Sequence, residues 1–335
     1  MTQLHHKSPW VRGMALRMLA KLGDARAIVP AIEALNDPSP SVRYYAADAL
    51  GSLHATKAIP VLCRHIDDLA VTNEEELETM PFDYNPLPRA AETALEALGT
   101  LKDHESFSAL IVRLAPKYPV GIRTASIRAL SQLGDTKAVP YLIPLLKDEY
   151  FGVCGETEEA LGEFGDTRAI EPLIEKIHTE SAPDEGAMVA LGHFNDPRIT
   201  ATMISFLSNR SGQTGRIAAE ILAAHHDLNA VEPLITASRI PSSSWRSIYA
   251  KALGQLGDRR AIPVLIEMIQ YLTYNERAAA ASALAQLGDP IAIAPLTDVL
   301  AENNDEATHA AIMEALAKLR AENKASPGSS TKSTK

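Results

Sequence analysis

One junction recurs along this chain, and it limits the fold more than any other feature. Leu133-Gly134-Asp135-Thr136-Lys137-Ala138-Val139-Pro140 returns as Leu22-Gly23-Asp24, as Leu256-Gly257-Asp258 and as Leu287-Gly288-Asp289, each followed three residues later by Ala and then Ile. Weaker copies begin at Leu53, Leu101, Phe164, Phe194 and His225, and a worn one at Leu319. The steps between anchors are 31, 48, 32, 31, 30, 31, 31, 31 and 32 residues. A fixed period in this range belongs to a solenoid, in which each unit buries its apolar face only against its neighbours. The single step of 48 is one ordinary period carrying an insertion.

The junction has the chemistry of one helix ending and another beginning. Gly after an apolar run supplies the left-handed residue that closes a helix. The Asp that follows accepts from the first amides of the next helix. Pro in the first turn, as in Asp196-Pro197 and Asp289-Pro290, gives up no needed donor. Val139, Leu142, Ile143 and Leu146 then recur at helical spacing, which predicts a helix over 138–146. A second junction alternates with the first. In Asp37-Pro38-Ser39-Pro40, Ser39 reads as the cap and Pro40 as the first helical residue. The helix behind it carries Val42, Ala46, Ala49 and Leu50, and the small Ala residues allow two helices to approach closely. Each unit is therefore two antiparallel helices of about three turns, and the chain is all-α: a right-handed solenoid of about nine helix pairs behind an N-terminal capping helix.

With Val42 and Arg43 five and six residues after Asp37, the unit resembles the HEAT repeat. That resemblance implies a turn Asp paired with an Arg at the start of the second helix, repeated as a ladder. The Leu-Gly-Asp-x-Arg-Ala-Ile-Pro turn is similar to the HEAT-like subclass found in E/F-type phycobilin lyases. It covers about residues 8 to 321. Deoxyhypusine hydroxylase, another HEAT-like class, is known for repeated His-Glu pairs on a di-iron site. Here only His104-Glu105 occurs, so that activity is not expected.

Charge and cysteine usage narrow the partners. The net charge is −10, and Lys324, Lys332 and Lys335 put the repeats three units lower still. That sign opposes nucleic acid, whose binding rests on neutralising phosphates, and argues against DNA-base repair on such a stack. It suits a protein partner with a basic or mixed-charge surface. Cys63 and Cys154 fall in different repeats, which predicts no disulfide framework and a reducing compartment. No apolar run has the length of a membrane span and no apolar signal segment opens the chain, so the expected location is cytoplasmic.

Taken in order, residues 1–8 are a lead and 9–321 a single solenoid. Trp10 is expected to lie buried in the terminal cap. Residues 69–88 form an insertion loop. Its Glu75, Phe82 and Tyr84 combine an acid with two aromatics in a segment that also holds three prolines, and long loops in compact repeats are often binding elements. The ladder Arg is absent in the fourth repeat, where Cys154 stands in its place, and in the fifth, where Asp184 does. Gly152 and Gly155 predict a late or bent start for the fourth repeat's second helix. Residues 322–335 read as a disordered tail.

Counting back five and nine residues from each anchor picks one face of every second helix. In the HEAT family these helices line the concave side. The face gives Tyr44, Asp48, Glu92, Glu96, Arg128, Glu159, Glu185 and Glu220, acid-rich in its first half. No phosphate loop, nucleophile elbow or dinucleotide fingerprint occurs. Acids beside Cys154 disfavour its thiolate, and His193, His225 and His226 read as turn residues rather than metal ligands. These residues support a non-catalytic scaffold or chaperone-like assembly factor that grips a protein client on the concave face and requires no cofactor. The alternative rests on the resemblance alone. It is a phycobilin lyase or lyase-like factor that holds an open-chain tetrapyrrole, with Tyr44, Tyr45, Phe82 and Tyr84 against its rings, and delivers it to a phycobiliprotein.

Overall fold

The computed structural model describes residues 2–69, 90–102, 105–178, 183–208, 213–240, 245–302 and 305–325. Among these there are nineteen α-helices and no strand. The insertion loop from residue 70 onward, with Glu75, Phe82 and Tyr84, lies outside the described residues, as do residues 326–335. The chain divides into two compact units, Met1–Lys176 and Ile177–Lys335.

The first unit opens with a short 3-10 turn, Thr2–His5, and the single helix α1, Pro9–Lys21. Four helix pairs follow: α2 (Ile28–Ala34) with α3 (Pro40–Ser52), α4 (Ile59–Leu69) with α5 (Ala90–Leu101), α6 (Glu105–Val112) with α7 (Val120–Leu133), and α8 (Val139–Leu142) with α9 (Phe151–Phe164). The division between units falls inside α10, Ile170–His178. The second unit continues with α11 (Glu185–Leu191) and then α12 (Pro197–Phe206) with α13 (Thr214–Ala224), and α14 (Val231–Ser238) with α15 (Arg246–Leu256). Its last pairs are α16 (Ile262–Tyr271) with α17 (Tyr274–Leu287), and α18 (Ile293–Glu302) with α19 (Glu306–Ala325). In each unit the second helices pack on one another in order: α1, α3, α5, α7 and α9 in the first, α11, α13, α15, α17 and α19 in the second.

The recurring junction does what its residues dictate. Gly23, Gly134, Gly165, Gly257 and Gly288 all lie in the left-handed region, with φ between 61° and 74°. In the weaker copies His54, Lys102 and His226 hold the same conformation with φ of 49–52°, where a Cβ is disfavoured. Asp24, Asp135, Asp166, Asp196, Asp227, Asp258 and Asp289 each accept from the backbone N–H two residues on, at 2.9–3.0 Å. Asp196 caps α12 directly. The other six cap a 3-10 turn that leads into the helix.

Several local expectations change. The helix expected over 138–146 closes at Leu142 and continues as a 3-10 turn, Ile143–Lys147, because Pro144 has no N–H for the helical ladder. Ser39 precedes α3 but its hydroxyl caps nothing; the Asp37 carboxylate takes the Ser39 N–H at 2.9 Å instead. α9 runs unbroken through Gly152 and Gly155, since Val153, Thr157 and Leu161 bury its opposite face completely. Trp10 is 59% exposed rather than buried. α19 continues through Ala325, past the expected tail boundary at 322, on the good helix formers Ala321, Glu322 and Lys324.

Close approach of second helices explains why they carry so many small residues. A Cβ on Gly99 would stand 2.7 Å from the Ala129 Cα, and one on Gly254 2.8 Å from the Ala283 Cα. In the second unit Tyr249 is fully buried and its hydroxyl donates to the Leu207 carbonyl at 2.8 Å.

Candidate functional site

The exposed edge of the second helices in the first unit carries most of the candidate residues. Tyr44 and Asp48 stand one turn apart on α3, and both are half-buried. The Tyr44 ring meets the Tyr45 ring edge-on, with centroids 5.1 Å apart. Tyr45 in turn sits over Gly13 of α1, where a Cβ would meet its ring at 2.5 Å. Burial pushes the Asp48 carboxyl above its ordinary range, while Arg17 and Lys21 on α1 pull it back. An aromatic face, a carboxyl held against desolvation and two cations therefore share one corner between α1 and α3.

Further along, Arg128 on α7 bridges two neighbours. Its guanidinium reaches Glu96 of α5 at 3.2 Å and Glu156 of α9 at 2.7 Å. Ser131 donates to Glu163 of α9. The acid-rich half of the row is thus compensated across repeats, and Glu159 stands exposed beside it. The structure brings Glu96 and Arg128 into contact as a pair, adds Glu156 of α9 to them, and leaves Glu92 half-buried on α5. Glu156 carried a signal in the sequence: it lies one turn before Glu159 on the same helical face.

The second unit repeats the logic with different residues. Glu185, at the start of α11, accepts the Gln213 N–H at 2.8 Å. Arg216 donates to the Gln213 side chain at 2.6 Å and to Glu220 one turn on. Glu185 and Glu220 are joined through this chain of contacts.

A deeper ladder lies beneath the row. Both carboxylate oxygens of Asp37 are held by Arg12, at 2.8 and 2.7 Å, and both of Asp148 by Arg123. Each pair joins residues 25 apart in successive repeats, with the Arg belonging to the earlier one. Arg246 meets Glu276 at 3.6 Å in the same sense. The resemblance implied a pairing within the repeat; instead Arg43 donates to the carbonyls of Asp37 and Pro38 at 3.0 Å. Cys154, which stands where that Arg would, directs its thiol to the equivalent Asp148 carbonyl at 3.2 Å. Burial pushes the Cys154 thiol up, which disfavours its thiolate. One ring nitrogen of His225 lies 3.0 Å from the Gly192 carbonyl. Among the described residues no three His, Cys, Asp or Glu side chains converge as a metal site, and no helix is long and apolar enough to cross a membrane.

A cavity of about 410 Å³ opens at the amino end of the first unit, lined among others by Leu4, His6, Arg12, Glu33 and Asp37. Its guanidinium is committed: Arg12 also donates to the carbonyls of His6 and Lys7.

Comparison with known proteins follows the same lines. A family model described as HEAT repeats matches residues 1–74, 83–162, 119–187 and 231–317. The chain belongs to the HEAT-repeat family. Among curated proteins, the bilin biosynthesis protein PecE of Mastigocladus laminosus is 36% identical over 119 residues, which are 36% of this chain and 40% of that protein. PecE of Nostoc sp. is 34% identical over 117 residues, 35% of this chain and 42% of that protein. The HEAT chain thus spans less than half the length of either relative. Among solved structures, Kap121p gives a TM-score of 0.62 at 12% identity, covering 94% of this chain and 40% of that one. Importin beta gives 0.60 at 13% identity, covering 94% and 49%. At such identities the likeness is one of fold.

Proposed function

We propose that this HEAT protein is a phycobilin lyase-like factor: it holds an open-chain tetrapyrrole and presents it to the phycobiliprotein that receives it. The observation that carries this reading is the likeness to two PecE bilin biosynthesis proteins. The corner between α1 and α3 supplies suitable chemistry. An open-chain tetrapyrrole offers pyrrole N–H donors, flat conjugated rings and two propionates. Asp48 accepts from the pyrrole nitrogens, Tyr44 lies against a ring, and Arg17 and Lys21 meet the propionates. Partial burial strengthens each of these contacts over its value in water. The Cys154 thiol is buried and engaged with the Asp148 carbonyl, and takes no part in holding the pigment.

The test mixes the purified protein with phycocyanobilin and reads its visible spectrum, then adds an apo-phycobiliprotein subunit. A shifted, intensified band that passes to the subunit supports the reading. No band and no transfer removes it.

A second reading, a scaffold that binds a protein client without pigment, is favoured by one observation. Phe151 is 84% exposed at the start of α9, beside Gly152 and Gly155, whose Cβ positions face open space. Such a flat, partly apolar strip next to Glu159 suits a client segment bearing Lys or Arg. Capture of a stoichiometric client, lost when Glu92, Glu96 and Glu159 are reversed to Lys and indifferent to bilin, would favour the scaffold.

A further inference from the structure

We propose that the cavity between α1, α2 and the segment ahead of α1 is a second ligand site, which takes a small amphipathic monocarboxylate: one carboxylate on a compact apolar body. Its volume of about 410 Å³ lies in the range of pockets that enclose small molecules. It shares no residue with the corner at Asp48, so it stands independently of the bilin reading.

The segment that walls the cavity is held in place. Leu4 is buried, and Arg12 donates to the carbonyls of His6 and Lys7 at 2.8 and 3.0 Å. The Ser8 N–H donates to Nδ1 of the His6 ring at 3.0 Å, so the ring carries its hydrogen on Nε2 and offers it as a donor. The backbone at His6 and Lys7 is thus fixed before a ligand arrives, which lowers the cost of binding one.

Donors dominate what the wall has left to offer. Arg12 uses four of its five N–H groups, two on Asp37 and two on the carbonyls, and the fifth is on Nη2. Its side chain is 15% exposed, so water screens that cation only in part. Lys7 and Asn36 also line the cavity, and no described residue engages their side chains. Of the lining carboxylates, Asp37 is spent on Arg12, which leaves Glu33. Several donors against one free carboxylate select an anion. A single free ammonium and the nearby Glu33 select one charge, because a phosphate monoester brings two and Glu33 repels the second. Leu4, Leu16 and Val42, none more than 9% exposed, supply an apolar wall that rewards a hydrocarbon body.

Saturation-transfer NMR on the full chain, with hexanoate as the probe at millimolar concentration, tests this. Hexanoate is expected to bind saturably, hexylammonium not to bind, and hexyl phosphate to bind more weakly than hexanoate. Lys7→Glu is expected to weaken hexanoate by roughly fivefold or more, and Glu33→Gln to tighten it by roughly twofold. Lys318→Glu on α19, an equal change in net charge, is expected to leave binding unchanged. Circular dichroism confirms that each variant is folded. No saturation by hexanoate, equal binding of hexylammonium, tighter binding of hexyl phosphate, or indifference to Lys7→Glu would overturn the proposal.

Discussion

Arg123 of α7 and Asp148 of the following repeat form a two-pronged ion pair in which the Arg side chain is 1% and the Asp 9% exposed. Arg123 also donates to the Leu114 carbonyl, and Asp148 takes the Tyr150 N–H, so most of the donors and acceptors are used. Burial pushes the Asp148 carboxyl up, but the guanidinium and the Tyr150 N–H outweigh it and hold the group below its ordinary range. A buried pair of this kind is costly to break because the surviving charge loses its partner. Arg123→Ala is expected to destabilise the first unit by about 3–5 kcal/mol. Urea denaturation checks this; a loss below about 1 kcal/mol would show that the pair is not buried as described.

Three residues hold a backbone conformation suited to glycine. His54, Lys102 and His226 take the place of Gly23, Gly134 or Gly257 in the weaker junctions. Lys102→Gly and His226→Gly are each expected to stabilise the protein by up to about 1 kcal/mol, since a left-handed Cβ costs roughly 1–2 kcal/mol and part of that relief is offset by unfolded-state entropy. Thermal unfolding of each variant supplies the comparison.

The glycines between second helices behave oppositely. A side chain on Gly99 must displace the Ala129 backbone, so Gly99→Val is expected to cost about 1–3 kcal/mol or more. Gly155→Ala, on a helix face with nothing nearby, is expected to stabilise by roughly 0.5–1 kcal/mol. Opposite signs from two helical glycines discriminate packing from propensity.

These contrasts show what the chain discloses before folding. The junctions were readable because Gly134 and Asp135 act on their own backbone, within two residues. The compensation of Glu96 by Arg128, and of Asp148 by Arg123, depends on which repeats lie side by side and at what offset, which no local pattern states. Pro144 altered the end of its helix through a missing N–H, a signal that was visible and outweighed by apolar spacing. Trp10 was misplaced because an apolar residue in the first turn of a helix reads the same whether it faces inward or outward.

Acid stability follows from the junction carboxylates. Arg26 and Arg198 hold Asp24 and Asp196 down to about 2, through side-chain and then backbone hydrogen bonds. A depressed carboxylate favours the folded state above its unfolded value, about 3.9, and that contribution is lost as pH falls through the folded value. Acid unfolding between about pH 4 and 2 is therefore expected to come at higher pH in Asp24→Asn and Asp196→Asn than in the wild type. Midpoints that coincide would contradict the assignment.

Asp48 has the reverse sign. Its carboxyl is raised, so its charged form opposes folding as pH climbs through the folded value. Asp48→Asn is thus expected to leave stability at neutral pH unchanged or higher. A residue that costs stability where it stands is consistent with one kept for what it binds.

The most direct measurement is a spectroscopic titration of phycocyanobilin against the wild type and Asp48→Asn at neutral pH. The account predicts saturable binding by the wild type, weakened at least tenfold in a variant that melts no lower. Equal binding by the two proteins, or no binding by either, would contradict it.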